Sequence, residues 1–330
     1  MAEKHAIYLP PIEERDPESV NRILSKDWVE IFSKGLDSCG TSIRPDCMFD
    51  AILIDEGQDF ERDWIRVVQR FLNPAWDQFL VVYDPAQNIY GRDIEWLIGT
   101  PDKLGFNGST KELLRTHRLP SAMADIVQHI ASKYGLDVHP EPVPGPHRGG
   151  NLGSHYLWGN ISDFEENSPA VLRGVLRTVK YFSSERDVHP GDMAILTTTE
   201  RVGLPIVACL TQHGYRVTHV FDETRSKDYR KRRDNKWRFQ PGNGQIKVST
   251  INSFKGWESP CIILVLTPIK ESGLVAEDHG EFWDSAAYLY VAITRLQSIE
   301  KSTGYFVCLN ACPELQDVEE IFARYSLGVV

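Results

Sequence analysis

The sequence has few cysteines and no long apolar run. Its 330 residues include six cysteines, none of which belongs to a Cys-x-x-Cys pair. A disulfide scaffold or a zinc site is therefore not expected. No apolar run approaches the length that crosses a bilayer, and the first residues contain no apolar signal core. We therefore expect a cytoplasmic protein without a membrane partner.

Positive charge is also in short supply. The chain has 36 Lys and Arg residues against 46 Asp and Glu residues, which gives a formal net charge of −10. This balance argues against a surface that coats nucleic acid without selectivity, although it leaves room for a local basic groove. The hydrophobic fraction of 42% is that of an ordinary globular protein, and the length suffices for two domains.

Apolar patterning predicts helices and strands in alternation along the chain. The predicted helices span residues 17–36, 61–72, 121–134, 164–182, 201–213, 284–300 and 314–325. The predicted strands span residues 51–54, 79–83, 111–115, 192–197, 215–220, 245–250, 261–266 and 304–309. Such alternation is typical of an α/β protein whose parallel sheet is covered by helices on both faces. Residues 137–153 are rich in proline and glycine and predict a linker-like loop.

An acidic motif follows the first predicted strand directly. The apolar run at 51–54 predicts a buried strand of a parallel sheet, and Asp55-Glu56-Gly57-Gln58-Asp59 comes immediately behind it. Both acids are then expected at the carboxyl edge of the sheet, where α/β proteins bind ligands. One carboxylate there can hold a hydrated Mg²⁺ and its neighbour can orient or deprotonate a water, as nucleoside triphosphate hydrolysis requires. A strand that ends in a solvated acidic turn is the simpler alternative.

Other polar residues follow later predicted elements. Gln87 comes after the strand at 79–83, where an amide could reach the same phosphate or water. Arg118 follows the strand at 111–115, Lys255 and Glu258 follow the strand at 245–250, and Arg295 lies on the predicted helix 284–300. Taken singly, Arg118 could form a surface ion pair, Lys255 could lie in a turn, and Arg295 could be a charge on a helix face.

The order and spacing of these motifs resemble those of the UvrD/Rep-like superfamily 1 DNA helicases. The resemblance runs from about residue 50 to about residue 310 and covers the motifs that the family numbers II to VI. It implies two RecA-like domains with parallel sheets. The first, residues 1–120, would be incomplete because it lacks the strand that bears the phosphate loop, and the second would span residues 121–330. The matching segments are Asp55–Asp59, Asp84–Tyr90, Leu113–Arg118, Val248–Glu258 and Leu289–Arg295.

The resemblance implies a division of roles in ATP hydrolysis. Asp55 would hold Mg²⁺ through water, and Glu56 would be the general base for the attacking water. Gln87 would sense the γ-phosphate. Arg118 and Arg295 would be arginine fingers that reach the γ-phosphate from across an interdomain cleft, because guanidinium groups stabilise the charge on the transferring phosphoryl group.

Contacts to the nucleotide and to DNA are implied in the same way. Glu258 would hydrogen-bond the ribose, and His117 stands where the family usually has a tyrosine that stacks on adenine. Arg92 stands where an aromatic ring usually stacks on a DNA base. In motif V, Asn252 replaces the usual histidine and Trp257 the usual leucine. The residues implied to contact DNA are Tyr90, Arg92, Thr250, Asn252 and Lys255.

A basic stretch lies between motifs IV and V. Eight of the fourteen residues at 225–238 are Lys or Arg, and Tyr229 and Trp237 are interleaved with them. Basic residues with stacking aromatic rings suit a nucleic-acid single strand. A solvated surface loop is the alternative. The residues of this stretch that we expect to contact nucleic acid are Arg230, Lys231, Arg232, Arg233 and Trp237.

A phosphate-binding loop is missing from the sequence. The pattern G-x-x-x-x-G-K-[ST], whose backbone N–H groups and lysine hold the phosphates of a triphosphate, occurs nowhere in it. Losing even three hydrogen bonds to a charged ligand would weaken nucleotide binding by roughly 10³-fold or more. We therefore expect that this chain alone neither binds ATP tightly nor unwinds DNA.

Three functions stay open at this point. The chain could be the C-terminal portion of an ATP- and Mg²⁺-dependent helicase that moves on single-stranded or partly duplex DNA. It could be one subunit of a split motor whose partner chain carries the phosphate loop. It could also be a non-enzymatic nucleic-acid-binding or adaptor protein on a degenerate helicase scaffold.

Overall fold

The structure is a computed structural model, and it divides into two compact units. Unit 1 takes in the chain up to Lys111, and unit 2 begins at Glu112. The residues that the structure describes are 28–38, 43, 45–76, 78–98, 104, 110–113, 115–116, 119, 121–136, 143–144, 155–162, 168–221, 239, 244–268, 284–297 and 304–325.

Unit 1 is a small α/β unit built on a pair of parallel strands. Strand β1 (Ala51–Ile54) pairs with β2 (Gln78–Val81), so that Leu53 lies beside Leu80. One face of the pair packs on Ile65 and Trp96 through Ile52, Ile54, Phe79 and Val81. Its described helices are α1 (Trp28–Ser38), α2 (Arg62–Gln69) and the short α3 (Glu95–Ile98).

The other face of the β1–β2 pair is open. Side chains alternate across a strand, and the residues that point away from the core are exposed. Leu53 is 72% exposed and Leu80 is 53% exposed, and Phe49 and Val82 are exposed as well. The prediction of a buried strand at 51–54 is therefore wrong for one face, because no described residue of unit 1 covers it. On the core face, α1 adds to the cover from α2 and α3, because its Leu36 packs with Phe71 and Ile52.

Unit 2 contains a separate two-stranded pair and a six-stranded parallel sheet. The pair is formed by β3 (Arg115–Thr116) and β4 (Val143–Pro144). The strands of the larger sheet are β5 (His155–Asn160), β6 (Met193–Thr197), β7 (Val217–His219), β8 (Ile246–Thr250), β9 (Cys261–Leu266) and β10 (Tyr305–Asn310), and their order is β5-β10-β9-β6-β8-β7. The central strands are fully buried, and β9 buries all six of its residues. Such continuous apolar burial is what a parallel sheet covered on both faces requires.

The helices of unit 2 bury apolar residues at helical spacing. In α5 (Pro169–Glu185) the buried residues Val171, Val175 and Val179 are four apart and form one stripe. In α7 (Ser285–Ile293) every residue is buried, and Asp284 caps its first turn by accepting from the N–H groups of Ala286 and Ala287. The remaining helices are α4 (Ser121–Tyr134), α6 (Glu200–Gln212) and α8 (Val318–Tyr325).

The α/β class with parallel sheets is confirmed, and most predicted elements are present. Strand β9 and helix α4 have the predicted bounds. Two strands were not predicted: β5, and β4 within the expected loop at 137–153. The predicted helix 284–300 is wrong in its extent because α7 ends at Ile293. Residues 17–27 of the first predicted helix lie outside the described residues.

No helix in the described part of the chain is long and apolar enough to cross a membrane. The five cysteines that the structure describes are all unbridged, and they are Cys47, Cys209, Cys261, Cys308 and Cys312.

Candidate functional site

The acidic motif lies where β1 ends, beside the end of β2. The N–H of Val82 donates to the carbonyl of Ile54, and the N–H of Gly57 donates to the carbonyl of Val82, both at 2.8 Å. A Cβ atom at Gly57 would lie 2.5 Å from Cγ1 of Val81, so glycine allows this close approach. The two strand ends are therefore held together, and the residues that follow them share one edge of the pair.

A chain of side-chain hydrogen bonds connects the two strand ends. Nε2 of Gln58 donates to Oε2 of Glu56 at 2.5 Å, and Oε1 of Gln58 accepts from the N–H of Asp84 at 3.0 Å. Nε2 of Gln87 donates to Oδ2 of Asp84 at 2.8 Å. Oδ1 of Asp84 also accepts from the N–H of Ala86 at 3.0 Å and caps the turn that bears Gln87. Glu56 and Gln87, which the sequence separates by a whole strand and helix, thus belong to one network.

Glu56 has an unusual backbone conformation. Its φ is 54° and its ψ is 45°, and among the described residues Asp187 is the only other non-glycine residue with positive φ. The left-handed conformation costs an ordinary L-residue roughly 1–2 kcal/mol. Such strain is common at functional sites. Here the carboxylate of Asp55 accepts from the N–H of Glu56 at 2.9 Å and helps to hold it.

The acids at this edge fit a hydrated Mg²⁺ but not a complete triphosphate site. Asp55 is exposed at the strand end, and proteins commonly hold Mg²⁺ through one or two carboxylates, water and substrate phosphates. Among the described residues, no group of three or more His, Cys, Asp or Glu is arranged to hold a metal ion directly. The sequence supplies no phosphate loop beside these acids. The edge therefore has carboxylates suited to a hydrated Mg²⁺, and the sequence has no phosphate loop to accompany them.

The motif III residues predicted to contact DNA differ in their surroundings. Tyr90 is 39% exposed and precedes Gly91, whose φ is 58°. Arg92 is held inside unit 1. Its Nη1 donates to Glu61, and its guanidinium lies 5.0 Å from the centre of the Trp64 ring. Base stacking by Arg92 stays a prediction, and in this structure the guanidinium stacks on a tryptophan of its own chain.

The motif V residues of unit 2 form a turn at the carboxyl end of β8. Thr250 ends the strand, and its Oγ1 accepts from the N–H of Ser253 at 3.2 Å. Nδ2 of Asn252 donates to the hydroxyl of Tyr288 at 3.4 Å, and burial raises the pKa of that phenol above its ordinary value. Oδ1 of Asn252 is buried and has no hydrogen-bond partner. Lys255 follows, half-buried, at the end of the turn.

Glu258 and Arg295 lie close together, at the other end of the sheet. The N–H of Ser259, the residue after Glu258, donates to the carbonyl of Arg295 at 3.0 Å, and Oγ of Ser259 donates to the carbonyl of Asp192, just before β6 begins. Arg295 is 2% exposed, and its guanidinium donates to the carbonyl of Val291 and to Oγ1 of Thr294. The prediction that Arg295 lies on a helix is wrong, because it follows the end of α7 by two residues.

Several predicted site residues lie outside the part of the chain whose side chains the structure describes. Their proposed roles stay predictions. They are His117, Arg118, Arg230, Lys231, Arg232, Arg233 and Trp237.

The structure also adds residues that the sequence did not single out as site residues. Gln58 is fully buried and bridges Glu56 and Asp84, and Asp84 bridges Gln58 and Gln87. Both belong to the motif segments, but their bridging depends on how β1 and β2 pair. No local sequence pattern reveals this bridging.

Comparisons with known proteins find similar solved structures but no matching family. No protein-family model and no curated protein matches the chain. A similar solved structure is the C-terminal domain of a possible DNA helicase from Lactobacillus plantarum WCFS1, at 17% sequence identity and a TM-score of 0.36. The similarity covers 63% of this chain and 96% of that one.

Proposed function

We propose that this chain is the C-terminal portion of an ATP-dependent DNA helicase or translocase of the UvrD/Rep type. The observation that carries the proposal is the network Glu56–Gln58–Asp84–Gln87, which joins an acid to an amide at the ends of two parallel strands. An acidic turn that only faces solvent needs neither a buried glutamine that bridges two strand ends nor a glutamate in the left-handed backbone conformation.

Each residue of this edge has a role in the proposed function. Glu56 accepts the proton of a water, and Gln58 fixes the direction in which its carboxylate points. Asp55 would hold Mg²⁺, and Gln87 would position the water or a phosphate oxygen. When bound, Mg·ATP would supply the phosphoryl group and the energy for movement. In the proposed reaction Arg118 and Arg295 would stabilise the charge on that group, as the resemblance implies.

The exposed apolar face of the β1–β2 pair supports the proposal that a further segment of polypeptide packs on it. Parallel sheets occur almost always with both faces covered. Here Leu53 and Leu80 are exposed on a pair of two strands, in the unit that lacks a phosphate loop. We propose that the segment bearing the phosphate loop, in the same chain or in a partner, covers this face.

The genomic sequence around the codon for Met1 tests where that loop is encoded. A G-x-x-x-x-G-K-[ST] motif in the same reading frame supports a single longer motor, and one in a neighbouring gene supports a split motor. With the complete protein in hand, Glu56→Gln should lower DNA-stimulated ATP hydrolysis by about 10²–10⁴-fold, the usual contribution of a general base. The Kd for Mg·ATP should change little. Hydrolysis at the wild-type rate would refute the role of Glu56.

A non-enzymatic nucleic-acid adaptor is a second candidate, favoured by a specific observation. The guanidinium groups of Arg92 and Arg295 are both engaged within their own units. The absence of a phosphate loop from the reading frame and from its neighbours, together with DNA binding that Mg·ATP leaves unchanged, would establish this alternative. It would also refute the motor.

A further inference from the structure

Three basic residues form a stripe on the outer side of α5. Arg173, Arg177 and Lys180 are spaced by four and three residues, which places them on one side of an α-helix. All three side chains are exposed. The apolar stripe from Val171 to Phe182 is buried on the opposite side of the helix. The apolar stripe therefore anchors α5 to unit 2, and the α5 basic stripe (Arg173, Arg177 and Lys180) faces outward.

The contacts of β10 show which face of the six-stranded sheet α5 covers. Tyr305 contacts Phe182 of α5 with ring centres 5.0 Å apart. The next residue, Phe306, contacts Phe322 of α8 with ring centres 5.9 Å apart. Because successive residues of a strand point to opposite faces, α5 and α8 lie on opposite faces of the sheet.

The helices on these two faces differ in charge. The only acid in α5 is Glu185, its last residue, and the charged residues of the neighbouring α6 are Glu200 and Arg201. On the other face, four acids are exposed at the start of α8 and in the turn before it: Glu314, Asp317, Glu319 and Glu320. In a protein with a net charge of −10, the α5 basic stripe therefore lies on the less acidic of these two helix layers.

The α5 basic stripe has no acidic partner among the residues that the structure describes. The ion pairs recorded in that part of the chain involve other side chains. Like charges three or four residues apart on a helix repel each other and lower its stability. The stripe therefore does not stabilise α5, and its one-sided charge is complementary to an external polyanion.

We propose that the α5 basic stripe binds the phosphate backbone of duplex DNA. At the rise of an α-helix the stripe is about 10 Å long, and duplex DNA carries one phosphate per strand in about 3.4 Å, so the stripe matches about three phosphates. It contains no aromatic ring, whereas single-strand binding relies on aromatic side chains that stack on bases. The proposal rests on the proposed function only for the choice of DNA, and not on nucleotide hydrolysis.

Other polyanions fit this surface less well. A helix that binds an anionic membrane places its apolar side in the lipid, and the apolar stripe of α5 is buried inside the protein. An acidic protein partner usually adds aromatic or other large anchors at the centre of its interface, and the basic stripe offers no pocket or ring for them. A phosphate backbone requires only a row of cations.

Fluorescence anisotropy with a labelled duplex of about 20 base pairs, titrated at several salt concentrations, tests the proposal. The variant replaces Arg173, Arg177 and Lys180 by Gln, which removes three charges and keeps a good helix former. It should bind about tenfold or more weakly at about 50 mM salt, and its log–log salt slope should be flatter by up to about 2.7, at about 0.9 per lost phosphate contact. Equal affinity and slope in variant and wild type would overturn the proposal.

A matched control removes the same charge elsewhere. Lys34→Gln, Arg66→Gln and Arg324→Gln together also remove three positive charges, at exposed positions outside the stripe. This variant should keep the wild-type salt slope. If it flattens the slope as much as the stripe variant does, net charge and not the stripe holds the duplex, and the proposal falls.

A conservative variant separates charge from structure. Arg173→Lys with Arg177→Lys keeps both positive charges, so it should retain most of the duplex affinity and the salt slope. A loss as large as that of the Gln variant would show an effect on the helix and would overturn backbone binding.

Two further titrations test the choice of partner. Oligo-dT should lose less affinity than the duplex in the Gln variant, and a greater loss on oligo-dT would overturn the choice of duplex. Vesicles of anionic lipid should bind more weakly than the duplex. Tighter binding of the vesicles that the Gln variant abolishes would overturn the choice of nucleic acid.

The outcomes also distinguish failure of this proposal from failure of the proposed function. If the Gln variant loses duplex binding while no phosphate loop is encoded in or beside the reading frame, the motor falls and the stripe stands. If the wild-type chain binds no duplex, the stripe falls, and the test of Glu56 in the complete protein still decides the motor.

Discussion

The two units of this chain use the same kind of parallel strand in opposite surroundings. In unit 2, β9 lies between β10 and β6 in a six-stranded sheet and buries all six of its residues. In unit 1, β1 and β2 form a pair of their own, with one apolar face packed on Ile65 and Trp96 and the other exposed. The contrast shows that a short apolar run specifies a parallel strand but not whether both of its faces are covered. The candidate phosphate-transfer edge lies on the less complete sheet.

The largest effect should come from equivalent truncations in the two sheets. Leu264 on β9 is fully buried, and Leu53 on β1 is 72% exposed. Leu264→Ala should lower the free energy of unfolding by about 3–5 kcal/mol, through lost burial and the cavity left behind. Leu53→Ala should lower it by about 0.5 kcal/mol or less, as surface changes do.

Urea titrations followed by circular dichroism measure the free energy of unfolding of both variants. Each loss is taken from the unfolding transition that the substitution shifts. A cost of several kcal/mol for Leu53→Ala would show that its face is covered and would remove the contrast between the units. If a partner covers this face, Leu53→Lys should abolish its binding without unfolding the chain.

A smaller effect should come from two crowded glycines. A Cβ atom at Gly203 would lie 2.2 Å from Cζ of Phe221, which is 1% exposed. Gly203→Ala should therefore cost about 1–2 kcal/mol, with overpacking partly offset by the better helix propensity of alanine. At Gly57 the neighbour is Cγ1 of Val81, on the half-open sheet.

Gly57→Ala should cost less than Gly203→Ala, because a partly exposed strand can shift. Thermal unfolding midpoints of the two variants and of the wild type show which substitution lowers the stability more. A larger loss at Gly57 would indicate that the edge of unit 1 is as rigid as the core of unit 2.

The smallest effect should be a pH dependence confined to unit 2. His155 stacks on Tyr305 with ring centres 5.7 Å apart, and burial, followed by the charge of Arg186, lowers its pKa below the ordinary value of 6.5. A histidine with a lowered pKa in the folded state stabilises the fold above pH 6.5, and this contribution is lost as the pH falls through the folded-state pKa.

His155→Phe, which keeps the ring stack, should make unfolding of unit 2 less sensitive to pH below 6.5. Unfolding midpoints of variant and wild type across that range provide the measurement. Parallel pH profiles for the two proteins would contradict the expectation.

An element could be predicted from the sequence where the residue pattern that specifies it lies within the element itself. Strand β9 was predicted to the residue because its apolar run is continuous and is bounded by Pro260 and Pro268. Strand β5 was missed because it lies at the edge of the sheet and mixes polar with apolar residues. Helix α7 was predicted too long, because the apolar Leu296 continues its pattern while in fact forming a bridge with Ser259.

The candidate site follows the same rule. Asp55, Glu56 and Gln87 could be predicted to lie at one edge of the sheet because strand ends in an α/β protein meet there. The bridging role of Gln58 and Asp84 arises only when β1 and β2 pair, so no local pattern reveals it. The left-handed backbone of Glu56 was equally hidden, since glutamate has no preference for positive φ.

The central claim is that this chain holds the acids of a nucleotide site without the cradle for its phosphates. Isothermal titration of Mg·ATP into the wild-type chain tests this most directly. Because at least three charge-assisted hydrogen bonds are missing, we predict a Kd of about 1 mM or weaker. A Kd in the micromolar range for the chain alone would contradict the claim.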